Sequence, residues 1–206
     1  MKQTLYSSRA NLYIGFHGCD QSVVERVLNG DTLKPSINSY DWLGHGMYFW
    51  ENNEQRALQF AQESAKRKDS SIKKPAVIGA VIDLGYCLDL TDAACIYEIK
   101  QSYKALRETL IAAGKELPLN KTIGDGGDLL LRYLDCAVIE FEHTINETAK
   151  VKSFDSVRGA FFEGNSLFPN SGIREKNHIQ ICVRNPNCIK GYFLPRTKDD
   201  KYSNPE

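Results

Sequence analysis

The chain alternates in its first apolar run. Over residues 11–17, Leu12, Ile14 and Phe16 point one way and Tyr13, Gly15 and His17 the other, the period of a β-strand. The period then changes. Asp20 is placed to cap a helix whose stripe is Val23, Val24, Val27 and Leu28, with Asn29-Gly30 as its stop. A polar loop follows over 31–41. Residues 53–67 predict a second helix with Ala57, Phe60, Ala61 and Ser64 on one face. "PAVIGAVIDLG" (75–85) is apolar enough for a strand buried on both faces. Residues 92–113 predict a helix, 117–127 a loop, 128–136 a short helix and "AVIEFEH" (137–143) a strand. Residues 144–176 are polar, contain Gly159, Gly164, Pro169 and Gly172, and predict a long irregular segment of the kind that more often carries function than not. "NHIQICV", "RNPN" and "CIKGYFL" predict strand, tight turn and strand, and the polar tail after Pro195 predicts fraying.

Strands at both ends with helices between them, and no β-α-β rhythm, predict an α+β domain. Residues 1–206 read as one domain, without internal repeat or linker. There is no Gly-x-Gly-x-x-Gly and no Gly-Lys-Ser/Thr, so neither a dinucleotide-binding β-α-β unit nor a P-loop is supported.

Composition narrows the function classes. Apolar residues are 42% and charged residues 25%, enough for an ordinary core. Lys plus Arg and Asp plus Glu number 26 each, so no overall positive field draws nucleic acid, and only a local basic groove could do so. No apolar run approaches the ~18 residues of a membrane helix, and "MKQTLYSSRANLY" lacks a secretory apolar core. The expectation is a cytoplasmic protein that avoids membranes. Six cysteines without a CxxC pair read as reduced thiols. His178, Cys182 and Cys188, or His17 and His45, lack zinc-type spacing, so no metal is expected.

Two short stretches carry the candidate chemistry: "YIGFHGC" (13–19) and "GHGMYFWEN" (44–52). Together with "HIQICV" near the C-terminus they resemble the three sequence blocks of the diphtheria-toxin-class ADP-ribosyltransferases, which include the poly(ADP-ribose) polymerases. That pattern is His-Gly on one strand, Gly-x-Gly-x-Tyr-Phe on the next and a Glu on a later strand. Gly44, Gly46, Tyr48 and Phe49 fill the middle block, and "VVERVLNGDTLKPS" resembles the intervening helix and turn. The Glu position falls on Gln180, with Ile189, Tyr192 and Phe193 in the downstream places.

The resemblance implies an ADP-ribosyltransferase-like fold, two small antiparallel or mixed sheets packed as a split sandwich with flanking helices. It implies NAD⁺ as substrate, without a metal, and an oxocarbenium-like transition state at the ribose. In that role His17 would bond a ribose hydroxyl, and Gly18 would let the backbone approach the nicotinamide carboxamide. Gly46 belongs to the binding loop. Tyr48 would stack on the cationic ring, an attraction of ~0.5–2 kcal/mol. Phe60 or Trp50 would close the sandwich. Arg56 stands where the family often has a carboxamide-binding Ser. Gln180 can position a hydroxyl but carries no charge to offset an oxocarbenium ion. Transfer of single ADP-ribose units is therefore implied, with Glu163 or Glu175 as substitute carboxylates. Arg158 and Arg174 are candidates for phosphate contacts.

The acceptor would be a protein or a nucleic acid, in a toxin or phage-defence setting with an antitoxin or immunity partner. The alternatives are an inactive module that binds NAD⁺ or ADP-ribose, and an NAD glycohydrolase. Each residue also has a purely structural reading: His17 as a satisfied strand histidine, Phe49 as core, His45 as loop, Gln180 as a strand residue, Glu163 and Glu175 as solvated carboxylates. "AKRKDSSIKK" (65–74) reads most simply as a solvated helix end.

Overall fold

The computed structural model describes residues 12–123 and 127–202. The leader reading at the N-terminus, residues 124–126 of the 117–127 loop and the last four residues of the tail lie outside them.

The first strand, β1 (Leu12–Asp20), hands over to helix α1 (Gln21–Leu28) at Asp20. The Asp20 carboxylate accepts from Ser22 N and Oγ and, through its other oxygen, from Lys73 N and Lys74 N. Those bonds, with Lys74's the strongest, hold its carboxyl well below the usual carboxylate range. One side chain thus caps α1 and ties it to β3 (Pro75–Asp83). Between them lie β2 (Met47–Glu51) and α2 (Glu54–Ala65), the latter capped by Asn53. Then follow β4 (Cys87–Asp89), α3 (Ala93–Ala112), α4 (Tyr133–Thr148), β5 (Ser156–Phe161), β6 (His178–Val183) and β7 (Ile189–Phe193).

The protein is a mixed α+β structure with one hydrogen-bonded sheet of seven strands, ordered β4-β5-β6-β2-β1-β3-β7. Among these seven strands only β4 and β5 pair in parallel. Two separate sheets are therefore not what the hydrogen bonds make. The sheet nevertheless narrows sharply at its middle. β1 pairs with β3 over nine residues but with β2 at two positions alone, Gly15 with Glu51 and Phe16 with Trp50.

Cross-strand neighbours share a face. Met47, Phe49, Ile78, Ala80, Ile82, Ile181 and Val183 form one core with Val24 and Val27 of α1. Leu88, Val157, Phe161 and Cys182 form a second core on the other face, with Leu43 and Ile139 of α4. Fully burying one such side chain contributes ~1.5–3 kcal/mol over leaving it in water. α2 lies across β1 and β3.

Three sequence expectations fail here. Residues 137–143 are not a strand, and 128–136 is not a separate helix; α4 runs through 133–148. Val138 and Glu140 suit alternation, but burial falls at Cys136, Ile139 and His143, a helical spacing. The cap comes from far along the chain: Asn120 Oδ1 accepts from Leu134 N at 2.8 Å. The segment 144–176 is not irregular throughout, because β5 occupies 156–161 and pairs with β6. No helix among the described residues is long and apolar enough to cross a membrane. All six cysteines are free thiols.

Candidate functional site

The site begins where β1 and β2 part. Antiparallel pairing turns the N–H and C=O of alternate residues to the same side. On β1 the even residues face β2: Ile14 C=O accepts from Asn52 N at 2.9 Å, and Phe16 opposes Trp50. Gly18 is the next residue on that edge and has no strand partner there. Its place against Tyr48 is taken by the His17 ring, whose Nδ1 donates to the Tyr48 C=O at 2.8 Å. A carbonyl only accepts, so Nδ1 carries the proton and Nε2 is left as an acceptor. Burial pushes His17 below the ordinary imidazole range, against the opposing pull of that carbonyl, so the ring is neutral. His17 thus bridges the strands where they part and keeps an unshared lone pair on Nε2.

Gly18 is required for packing. A Cβ there would lie 2.0 Å from the Ala57 carbonyl oxygen of α2. The close approach that the sequence assigned to a ligand is made, in the folded chain, by a helix. Gly46 is similar, since a Cβ would lie 2.6 Å from Cys182 Sγ.

Tyr48 meets His17 through its backbone. Its ring is on the opposite face, across from Cys182 and packed on the second core. The phenol donates to Gly44 C=O at 2.6 Å and accepts from Leu43 N at 2.8 Å. The loop is fastened from outside by Glu140 of α4, which accepts from His45 N at 2.7 Å and pairs with Arg184 and the His45 ring. Burial favours the protonated acid, but the Arg184 and His45 bonds outweigh it and lower the Glu140 carboxyl. Glu140 was missed in the sequence because its segment reads as a strand. Placed on a helix, it lies one turn after Cys136 and faces the glycine loop.

The third group gathers around Trp50. Its ring is 5.0 Å from Phe60 and 6.3 Å from His178, and Arg56 lies 5.6 Å from its centroid. Arg56, in the first turn of α2, donates to Glu163 at 2.9 Å inside the protein. Glu163 is also 3.7 Å from His178 Nδ1, which bonds Lys176 C=O at 2.7 Å. Trp50 Nε1, Arg56 Nε and Nη1, and His178 Nε2 are buried and make no hydrogen bond among the described residues. Gln180 sits opposite Trp50 on β2 and Gly159 on β5. It is 8% exposed, and its amide bonds no described residue. His178 is therefore a second polar group at this spot, unmarked in the sequence because it reads as the first residue of a strand.

Other candidates lie apart. Both Arg158 side-chain ends are bound, to Glu51 at 2.6 and 3.0 Å and to Asp89 at 3.1 Å. Arg174 donates to Gly164 C=O, and Glu175 is exposed and accepts from Asn165 N, so both organise the 162–176 loop. Among the described residues no group of three or more His, Cys, Asp or Glu is arranged to hold a metal.

No family model matches the chain. It is similar to an uncharacterized protein of Methanocaldococcus jannaschii, 28% identical over 203 aligned positions that cover 89% of each chain.

Proposed function

We propose that this protein cleaves the N-glycosidic bond of NAD⁺ and transfers single ADP-ribose units to a macromolecular acceptor. The reading rests on one observation above the rest: the His17 ring bonds the Tyr48 C=O where β1 and β2 part, and Gly18 beside it has no strand partner on that edge. A lone pair suits a ribose hydroxyl, and a backbone N–H with a C=O suits the two ends of a carboxamide. The narrow waist between β1-β3-β7 and β4-β5-β6-β2 supports the finer reading of an ADP-ribosyltransferase-like split sandwich. The six free thiols suit the reducing cytoplasm.

In this reading the C1′–N bond breaks with its electron pair passing to the pyridinium ring, so neutral nicotinamide leaves without a general acid. The acceptor then bonds C1′ and gives up its proton. Phe60, half-buried and packed on Trp50, supplies an aromatic face for the cationic ring. Gln180 orients a hydroxyl. Arg56 and Glu163 neutralise each other inside the protein, so this region carries no net charge from them.

A second reading is a module that binds NAD⁺ or ADP-ribose without turnover. It is favoured by the commitment of Glu163 to Arg56, which leaves Gln180 as the residue at the usual Glu position. NAD⁺ labelled in its adenosine half, incubated with the protein and a cell lysate, separates the readings. Label on a macromolecule with nicotinamide release supports transfer. Nicotinamide release alone points to a glycohydrolase. Binding by calorimetry without either signal favours the module, and no binding at all sinks every NAD⁺ reading.

A further inference from the structure

Where β2 ends and β6 begins, a cavity of about 350 Å³ opens at the edge of the sheet. The exposed Phe162 lines it beside Ala160, the core residue Phe161 and Ile179, and Asn52, Asn53 and Asn177 supply polar groups. The state of each amide follows from its bonds. Asn53 Oδ1 accepts from Arg56 N at 3.0 Å, and Asn177 Oδ1 accepts from Arg174 N at 3.2 Å. Each keeps its NH₂ for a ligand. Asn52 makes no side-chain bond to any described residue, and its backbone is left-handed at φ +48°. Asparagine adopts that region more readily than most residues, and here it turns the chain out of β2 into α2. Glu51 also borders the cavity, but Arg158 binds both its oxygens, so it adds no free charge.

Uncharged amide donors beside an exposed aromatic ring do not suit a phosphate or a carboxylate, which would need a cation. They do not suit an aliphatic chain, which would strand three amides. A flat ring with acceptor nitrogens and carbonyls satisfies both surfaces at once, by stacking and by edge hydrogen bonds. The volume is within the range of small-ligand sites.

We propose that this cavity binds a nucleobase. The base comes either from a dinucleotide such as NAD⁺ or from single-stranded nucleic acid. The binding itself does not depend on the transferase reading.

The test titrates the four nucleosides into the full chain and follows the side-chain amide signals of Asn52, Asn53 and Asn177 by NMR. Asn52→Gly removes the amide while easing the left-handed backbone, and Phe162→Ala removes an exposed ring (60% exposed) without opening the core. Each is expected to weaken the best nucleoside by roughly tenfold. Weaker NAD⁺ binding in both variants, with nicotinamide mononucleotide unchanged, assigns the base to the dinucleotide. Loss of a single-stranded oligonucleotide with NAD⁺ unchanged assigns it to nucleic acid. Undisturbed amide signals at millimolar nucleoside, or equal affinity in both variants, overturn the proposal. Failure of the transferase reading shows elsewhere, as absent nicotinamide release by the unmodified protein.

Discussion

His17 Nδ1 donates to the Tyr48 carbonyl at 2.8 Å, across 31 residues of sequence and at the point where β1 stops pairing with β2. A side chain here does what the neighbouring backbone does elsewhere in the sheet. His17→Ala removes this bond and the free Nε2 together. The expected result is a loss of NAD⁺ turnover of ~10²-fold or more, the lower end of what a positioned His contributes. The stability cost is only ~1 kcal/mol for one net hydrogen bond. Nicotinamide release and urea unfolding, run on the same preparation, check both figures.

The Arg56–Glu163 pair is enclosed, with side chains 7% and 12% exposed. Removing one partner strands the other's charge. Glu163→Gln is expected to cost ~3–5 kcal/mol, whereas Arg56→Met with Glu163→Leu costs far less because no buried charge remains. Equal losses in the single and double variants would show that the pair is not what stabilises this region. Chemical denaturation at neutral pH provides the comparison.

His143 of α4 is 2% exposed and meets the Phe154 ring edge-on at 5.9 Å. Burial, helped by Arg184 and opposed by Glu140, pushes it down to about 4. The unfolded chain takes up this proton near pH 6.5, so between 6.5 and 4 it binds more protons than the folded one. Stability therefore falls as pH falls through that window, by roughly 3 kcal/mol for this residue. Glu98, raised to about 7 by burial and by Glu142, works in the opposite sense between about 4.5 and 7. The His143 contribution is thus read as a difference: His143→Phe should flatten the acid side of the stability curve relative to the parent. Parallel curves would rule out His143 as the cause.

Gly18→Ala places a methyl group 2.0 Å from the Ala57 carbonyl, which is backbone of α2 and cannot swing aside. A loss of about 3 kcal/mol or more is expected. Gly172→Ala is the control, since nothing lies within 4 Å of its Cβ. It should change stability by less than about 0.5 kcal/mol. Thermal melts of the two variants decide the matter.

Elements whose burial follows from local period were readable in the chain. β1, α1, α2, β3, α3 and the β6-turn-β7 unit show alternation or a 3.6-residue stripe, and Asp20 and Asn53 cap helices through bonds spanning two or three residues. The pairing of a His-Gly block with a Gly-x-Gly-x-Tyr-Phe block likewise marked His17 and Tyr48, and the fold joins them. α4 and β5 were hidden because their cues are distant. α4 is capped by Asn120 and buried against α3, and β5 is a strand because β4 and β6 flank it.

Local segments, and the order of the polar residues along them, are legible in the chain because backbone preference and hydrophobic period act over a few positions. Long-range packing is what makes His17 meet Tyr48 through a carbonyl and not a ring, keeps Gly18 small for α2, pairs Glu163 with Arg56 while Glu175 remains on its loop, and sets His178 and Gln180 on one strand near Trp50. Those relationships follow from the sheet order and from which face each strand presents. Both are set by packing among residues far apart in the chain.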